Sequence, residues 1–291
     1  MAPYPTFIFF GTGHFAEHIL KHLIKKGHTP IYVISSPDKP VGRHQTITPP
    51  PAKVVAESAG ITVFQPEKLR TPEALAELKK IIDQVDVCVV ADYGKILPQA
   101  LLDLSPKGFL NIHPSLLPLH RGPAPLQATI LAGDNNTGIT IIQIDAEMDH
   151  GPIVAAQEEQ IPETMWPCTV SELSAHMAEK SAELLMKTLP EYVAHIPQLT
   201  EQDHSLATYT KMIEKSDAEI SLAELQQHNL KNVYFKYCAY KDWPEIFFIY
   251  DGKRVKIKKM SYTDGIYTID RVTPEGKKEM DFKEFVKYHP I

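Results

Sequence analysis

The sequence predicts an α/β protein: a parallel, doubly wound sheet with helices on both faces, followed by a small antiparallel β-barrel. Three observations carry that expectation. In the first half of the chain, short apolar runs alternate with stretches of helical spacing, the pattern of strands joined by crossover helices. Towards the C-terminus the apolar runs are divided by Asp251-Gly252 and Asp264-Gly265, and Asp-Gly is the strongest short hairpin signal. The length, 291 residues, reaches the roughly 250 to 300 at which a single core stops growing, so two domains are expected.

Each element follows from its own pattern. "TFIFFGTGHFAEHILKHLIKKGHTPIYVISS" is an apolar run, a turn at Gly11 to Gly13, apolar residues at helical spacing (Phe15, Ile19, Leu23) and a second apolar run, which together make a β-α-β unit. The segment "SSPDKPVGRHQTITPPP", with five prolines in seventeen residues and no periodicity, reads as a long surface loop. A helix is expected over 72–83, strands at 85–91 and 108–112, a short helix over 124–132 and a β-branched strand over 137–145. "SELSAHMAEKSAELLMKTL" at 171–189 reads as one amphipathic helix, and the residues after it have a linker's composition. The expected division is a first domain over 1–189, a linker over 190–208 and a β-rich domain over 209–291.

Composition excludes several classes. The longest apolar runs are far too short for a bilayer, and "MAPYPTF" lacks the cationic start of a signal peptide, so the cytoplasm is expected and no membrane partner. Cys88, Cys168 and Cys238 stand far apart without a C-x-x-C, which suggests neither a disulfide framework nor a cysteine zinc site. A formal charge of −6 argues against a protein that simply coats nucleic acid. That average hides an asymmetry. From residue 205 onward there are 15 Lys and Arg against 13 Asp and Glu, and before it 15 against 23, so a mildly basic tail follows an acidic body. Such a tail suits a polyanion held at one end.

Two motifs compete for the chemistry. Gly11, Gly13 and Ala16 satisfy the G-x-G-x-x-A pattern by which a helix N-terminus accepts a dinucleotide pyrophosphate, which raises an NAD-dependent dehydrogenase. Against that reading, Ser35 and Ser36 end the second strand where an acidic residue would bond the ribose. Glycines required for a tight strand-to-helix turn account for the pattern better. The second motif is "NIHPSLLPLHRG". Asn111 and His113, two apart at a strand end, leave on one face at the carboxyl edge where open α/β sheets bind ligands. An amide and an imidazole aimed at one point suit an oxygen that turns negative in acyl transfer. Downstream, "IDAEMDHG" offers Asp145 and Asp149, either of which could hold the imidazolium or take a proton. No serine or cysteine stands in an activated-nucleophile context, so direct attack by the acceptor is expected. A metal held by His113, His120 and Asp149 matches no zinc spacing and leaves Asn111 without a role, so no metal is expected.

The stretch from Asn111 to Gly151 closely resembles the signature of the folate-dependent formyltransferases, in which N-x-H, S-L-L-P, R-G, T-G and D-x-x-x-D-x-G follow in this order. "SSPDKPVGR", "FQPEKLR", "VVADYGKILP" and "TYTKMIEKSDAEI" extend the resemblance from the first strand into the second domain. It implies a Rossmann-like catalytic domain with an OB-like barrel behind it. It also implies transfer of the formyl group of 10-formyltetrahydrofolate to the free α-amine of initiator methionyl-tRNA. A monomer is expected.

By matching position, the resemblance makes Asn111, His113 and Asp149 the catalytic trio and Ser115, Leu116, Leu117 and Pro118 the folate-contacting segment. Asn111 and His113 would hold the oxyanion, while Asp149 would fix the imidazole's charge and tautomer and accept the amine's proton. Val90, Tyr93 and Ile96 would wall the pterin, although Val90 and Ile96 serve equally as core. Lys39 and Arg43 occupy the place of the loop that reaches the acceptor stem. In the tail, Arg254, Lys256 and Lys258 alternate with Val255 and Ile257, which gives a basic stripe suited to phosphates. The second domain is shorter than is usual for the family. Sugar-nucleotide N-formyltransferases and formyltetrahydrofolate hydrolase share the trio, but the basic tail and the "PDKPVGR" loop favour tRNA over either.

Overall fold

The protein is described by a computed structural model covering residues 3–42, 44–195 and 199–290. The first part of the chain runs β1 (Phe7–Gly11), α1 (His14–Lys25), β2 (Tyr32–Ile34), β3 (Lys39–Val41), β4 (Thr46–Thr48), α2 (Pro51–Ser58) and β5 (Thr62–Phe64). It continues through α3 (Pro72–Ile82), β6 (Val87–Ala91), α4 (Gln99–Leu102), β7 (Phe109–His113), α5 (Pro125–Ala132), β8 (Asn136–Gln143), β9 (Ile153–Gln160) and α6 (Val170–Ala194). After α6 come α7 (Leu222–Leu225), α8 (Lys231–Ala239), β10 (Phe247–Tyr250), β11 (Lys253–Thr263), β12 (Ile266–Pro274), β13 (Met280–Asp281) and α9 (Phe282–Tyr288). Among the described residues no helix is long and apolar enough to cross a membrane.

Seven strands form one sheet in the order β5-β2-β1-β6-β7-β8-β9, with every pair from β5 to β7 parallel. This is the doubly wound α/β sheet that the alternation of patterns predicts. The strands β1 and β6 are buried along their whole length, which explains why they read as unbroken apolar runs. Their residues split between two cores. Ile8, Phe10, Cys88 and Val90 pack with Leu78, Ile81 and Leu101 of α3 and α4. On the other face α1 buries Ile19, Leu20 and Leu23, close enough that a Cβ on Gly11 would meet both Phe9 and Ala16.

By contact the chain divides into two units. One comprises Met1–Pro125, Thr137–Glu159 and Ser174–Thr210, and the other Leu126–Asn136, Gln160–Leu173 and Lys211–Ile291. In the second unit a four-stranded antiparallel sheet, β10-β11-β12-β13, stands where the small barrel is expected. Both Asp-Gly pairs form its turns, with φ of 48° and 71° at Asp251 and Gly252 and of 50° and 82° at Asp264 and Gly265. Two successive positive φ values are what a two-residue hairpin needs to match strand twist. Phe248, Val255, Ile257, Val272 and Phe285 fill the core of this unit.

Three expectations need correction. The segment 35–51 is not a featureless loop, since β3 and β4 pair in an antiparallel ribbon. Its six residues are all exposed, so burial imprints no periodicity on them. The strand β8 runs antiparallel to β7, with Leu110 opposite Gln143 and His113 opposite Thr140. Periodicity marks a segment as a strand but carries no direction. Finally, α6 does not stop at residue 189 but runs on through Pro190 to Ala194. Proline raises the cost of a helix without forbidding it, and Tyr192 beyond it is buried with its hydroxyl donating to the Lys107 carbonyl at 2.6 Å.

Candidate active site

At the tip of β7 the i, i+2 spacing sends Asn111 and His113 to one side, and both meet the same carboxylate. Asn111 Nδ2 donates to Asp149 Oδ1 at 3.1 Å. His113 Nδ1 lies 3.7 Å from that oxygen, with the imidazole 5% and the carboxylate 12% exposed. The other carboxylate oxygen accepts the Gly122 N–H at 2.7 Å. On the far side of the ring, His113 Nε2 stands 2.9 Å from the His120 carbonyl oxygen. A carbonyl only accepts, so Nε2 carries a proton and the nitrogen turned to Asp149 is Nδ1. The tautomer is therefore set by the His120 carbonyl, whereas the expectation had Asp149 setting it.

The strand end and the residues after it are stitched so that these groups converge. Ser115 is fully buried and donates to the Leu119 carbonyl at 2.6 Å, while Thr140 Oγ1 donates to the Ser115 carbonyl and accepts the Leu117 N–H. His120, at φ 59°, gives its N–H to Thr208 Oγ1, which presents its carbonyl to His113. Two motif glycines are required by close approach. At Gly122, with φ of 106°, a Cβ would lie 2.7 Å from the Thr210 carbonyl oxygen. At Gly151 it would lie 1.8 Å from the Gln143 carbonyl oxygen. Asp149 itself has φ of 50°, and this left-handed turn swings its carboxylate back onto the strand.

A buried amide, imidazole and carboxylate around one point can in chemical terms stabilise an oxyanion and take up one proton. The pattern of the family described as formyl transferase matches residues 6–189. The chain belongs to the formyl transferase family. It is 41% identical over 252 residues to the methionyl-tRNA formyltransferase of Chloroflexus aggregans, spanning 86% of this chain and 78% of that one. With the methionyl-tRNA formyltransferase of Caldicellulosiruptor saccharolyticus it shares 35% over 311 residues, covering 98% and 97% of the two chains. The solved structure of methionyl-tRNA formyltransferase from Clostridium thermocellum superposes with a TM-score of 0.61 at 17% identity, over 93% of this chain and 98% of that one.

The remaining candidate residues of this formyl transferase fall into distinct places. Asp145 is drawn away from the centre, its carboxylate 2.7 Å from His150 Nδ1 and accepting the Glu147 N–H. In the S-L-L-P segment, Leu117 is buried and Leu116 and Pro118 half-buried, and the Ser115 hydroxyl is spent on the loop itself. Val90 and Tyr93 belong to the apolar cluster of Phe10 and Phe109, and burial raises the Tyr93 phenol. Ile96 is 74% exposed, beside Lys68, Leu69, Arg70 and Lys95 in a surface depression. Among the described residues no group of three His, Cys, Asp or Glu could hold a metal ion.

The glycine fingerprint resolves differently. The N-terminus of α1 already has a carboxyl group: burial raises Asp92 to about 6, while the backbone N–H groups of Ala16 and Phe15, which it accepts, favour its charged form. A Cβ at Gly13 would lie 2.1 Å from Asp92 Oδ2. Family membership and this internal carboxylate together overturn the dehydrogenase reading.

Of the basic candidates, Lys39 opens the exposed strand β3, and Arg43 lies outside the described residues. On β11, Val255 and Ile257 are buried and Arg254, Lys256 and Lys258 face outward, as alternation predicts. Their charge is not all free. Both Lys256 and Lys258 clasp the Glu245 carboxylate, and the Arg254 guanidinium lies 4.1 Å from the Phe247 ring centroid. Burial pushes the Glu245 carboxyl up, but the two lysines outweigh it and hold the group below its ordinary value.

The residues that sequence reasoning missed lie on 200–210, which pairs with the site through Arg121 opposite Tyr209 and Thr200 opposite Ile153. Gln202, His204, Thr208 and Tyr209 all bond to the S-L-L-P-L-H-R-G stretch or to the Asp149 turn. The one signal that pointed there was the resemblance of "TYTKMIEKSDAEI", which carried no residue role.

Proposed function

We propose that this formyltransferase moves the formyl group of 10-formyltetrahydrofolate to the free α-amine of initiator methionyl-tRNA in the cytoplasm. The observation that carries the reading is the convergence of Asn111, His113 and Asp149 within one carboxylate's reach, in a chain whose full-length relatives bear that activity's name. The amine attacks the formyl carbon directly. Its carbonyl oxygen becomes an oxyanion, held by the second N–H of the Asn111 amide and by His113 as imidazolium through Nδ1–H, since Nε2 is engaged by His120. Asp149 supplies the counter-charge beside the ring and accepts the proton that the amine loses. As the tetrahedral intermediate collapses, the oxyanion re-forms the carbonyl, the bond from the formyl carbon to N10 of the folate breaks, and N10 takes up the proton held by Asp149, so tetrahydrofolate leaves neutral at that nitrogen and Asp149 is restored. The Leu116, Leu117 and Pro118 stretch offers the flat folate an apolar wall, and the unit carrying β11 offers phosphate contacts to tRNA through Lys256, Lys258 and Arg254.

The test is an acceptor panel. The protein is incubated with 10-formyltetrahydrofolate and, separately, with methionyl-tRNA, an amino-sugar nucleotide or buffer alone. Formyl-methionyl-tRNA as the dominant product is expected. Faster formylation of the sugar, or release of formate at the same rate without an acceptor, overturns the assignment.

A further inference from the structure

The turn that aims Asp149 is held from behind by a side chain in the stretch with a linker's composition. Gln202 is 5% exposed, and its Nε2 donates both to the Asp149 carbonyl at 2.9 Å and to the Gly151 carbonyl at 2.7 Å. Its Oε1 accepts from Arg121 at 3.2 Å to Nε and 2.7 Å to NH2. Arg121 is 1% exposed, and among the described residues no carboxylate lies within ion-pair distance of it. Its other bonds go to His204 Nδ1 at 2.8 Å and to the Tyr209 hydroxyl at 3.1 Å.

This arrangement fixes an orientation. A side-chain amide presents an oxygen and an NH2 of nearly the same shape, but a guanidinium only donates and a backbone carbonyl only accepts. The buried Arg121 therefore compels the Gln202 oxygen towards itself and its NH2 towards the two carbonyls. Those carbonyls bracket His150, on the left-handed turn at Asp149. A non-glycine residue with φ of 50° persists when its surroundings over-determine it. His150 is fixed as well, bound to Asp145 and stacked on His204 with ring centroids 4.0 Å apart.

We propose that Gln202, oriented by Arg121, is the positioning residue for Asp149: it locks the turn so that one carboxylate oxygen faces Asn111 and His113 and the other faces the Gly122 N–H. A buried arginine met only by neutral groups is poor support for stability alone. It is well suited to dictating which way an amide points. The inference rests on Asp149 being the proton acceptor of the proposed reaction.

The test uses the full chain with Gln202→Glu, which keeps an acceptor for Arg121 but has no N–H for the two carbonyls, alongside Asp149→Asn and Ser205→Ala, a control on the exposed part of the same stretch. For Q202E we expect kcat to fall at least tenfold, KM for both substrates to stay within twofold, and the acid limb of the pH profile of kcat to move, while S205A remains at wild-type values. Normal kcat and pH profile in Q202E, with D149N inactive, overturns the positioning role alone. An active D149N overturns the reading on which it stands. If Q202E is recovered unfolded, Gln202→Asn decides, because its shorter amide cannot span both carbonyls: a displaced pH profile supports the proposal, and a wild-type profile overturns it.

Discussion

Asp149 meets hydrogen-bond donors on both of its carboxylate oxygens, yet His113 stands at 3.7 Å, just outside hydrogen-bonding range. In the proposed reaction that gap leaves the His113 ring free to meet the substrate oxygen instead of being held by Asp149. Replacing His113 by Ala removes a proton donor to the oxyanion, so formyl transfer is expected to fall by about 10²- to 10⁴-fold while calorimetry shows folate still binding. Gly122→Ala is expected to act through strain, since its Cβ would press on the Thr210 carbonyl at a φ hostile to side chains. A loss of roughly 1–3 kcal/mol in urea-induced unfolding, together with reduced kcat, is the expected result. At this scale the two-residue spacing brings Asn111 and His113 to one face, but a lone pair reads equally as groups satisfying buried backbone, and only the motif that follows them marks the pair as a site. The sequence leaves Asp145 and Asp149 equivalent, because what separates them is a left-handed turn, and only resemblance picks the second. Gln202 is silent, because its partners Asp149 and Gly151 lie more than fifty positions away and no local pattern marks them.

The strand β11 shows how an element's pattern is read correctly and its charge is not. Alternation places Val255 and Ile257 inside, but the register slips around Lys259, and Met260 joins the core out of step. Glu245, which sits outside the strand, takes up one positive charge of the stripe. Glu245→Gln frees both lysines, so tRNA is expected to bind more tightly, and the slope of log Kd against log salt to steepen by ~1. Salt titration of fluorescent tRNA binding checks this. The same carboxylate gives a signed acid response. Its folded-state pKa lies below its ordinary value of 4.5, so its contribution to stability is fully present above that value and is lost as pH falls through the lower one. Thermal melts of wild type and E245Q should therefore converge on acidification. Elements marked by burial, such as β1 and β6, and turns marked by residue chemistry, such as the two Asp-Gly hairpins, are legible in the sequence. The ribbon β3-β4, exposed throughout, and the direction of β8 are not.

Across the whole molecule, one sheet positions the three groups proposed to carry the reaction. Its strand β7 carries two of the three groups, and the residues after β8 carry the third. The N-terminus of α1, which looks like a nucleotide site in sequence, is occupied by Asp92, so titration with NAD is expected to give no heat. The central claim is that Asn111, His113 and Asp149 form one transferring centre for methionyl-tRNA. Its most direct test is the single-turnover rate of formyl transfer from 10-formyltetrahydrofolate to methionyl-tRNA in wild type and in Asp149→Asn, with folate affinity measured on the same samples. A fall of at least about 10³-fold at unchanged folate affinity is expected. A D149N rate within tenfold of wild type would contradict that claim.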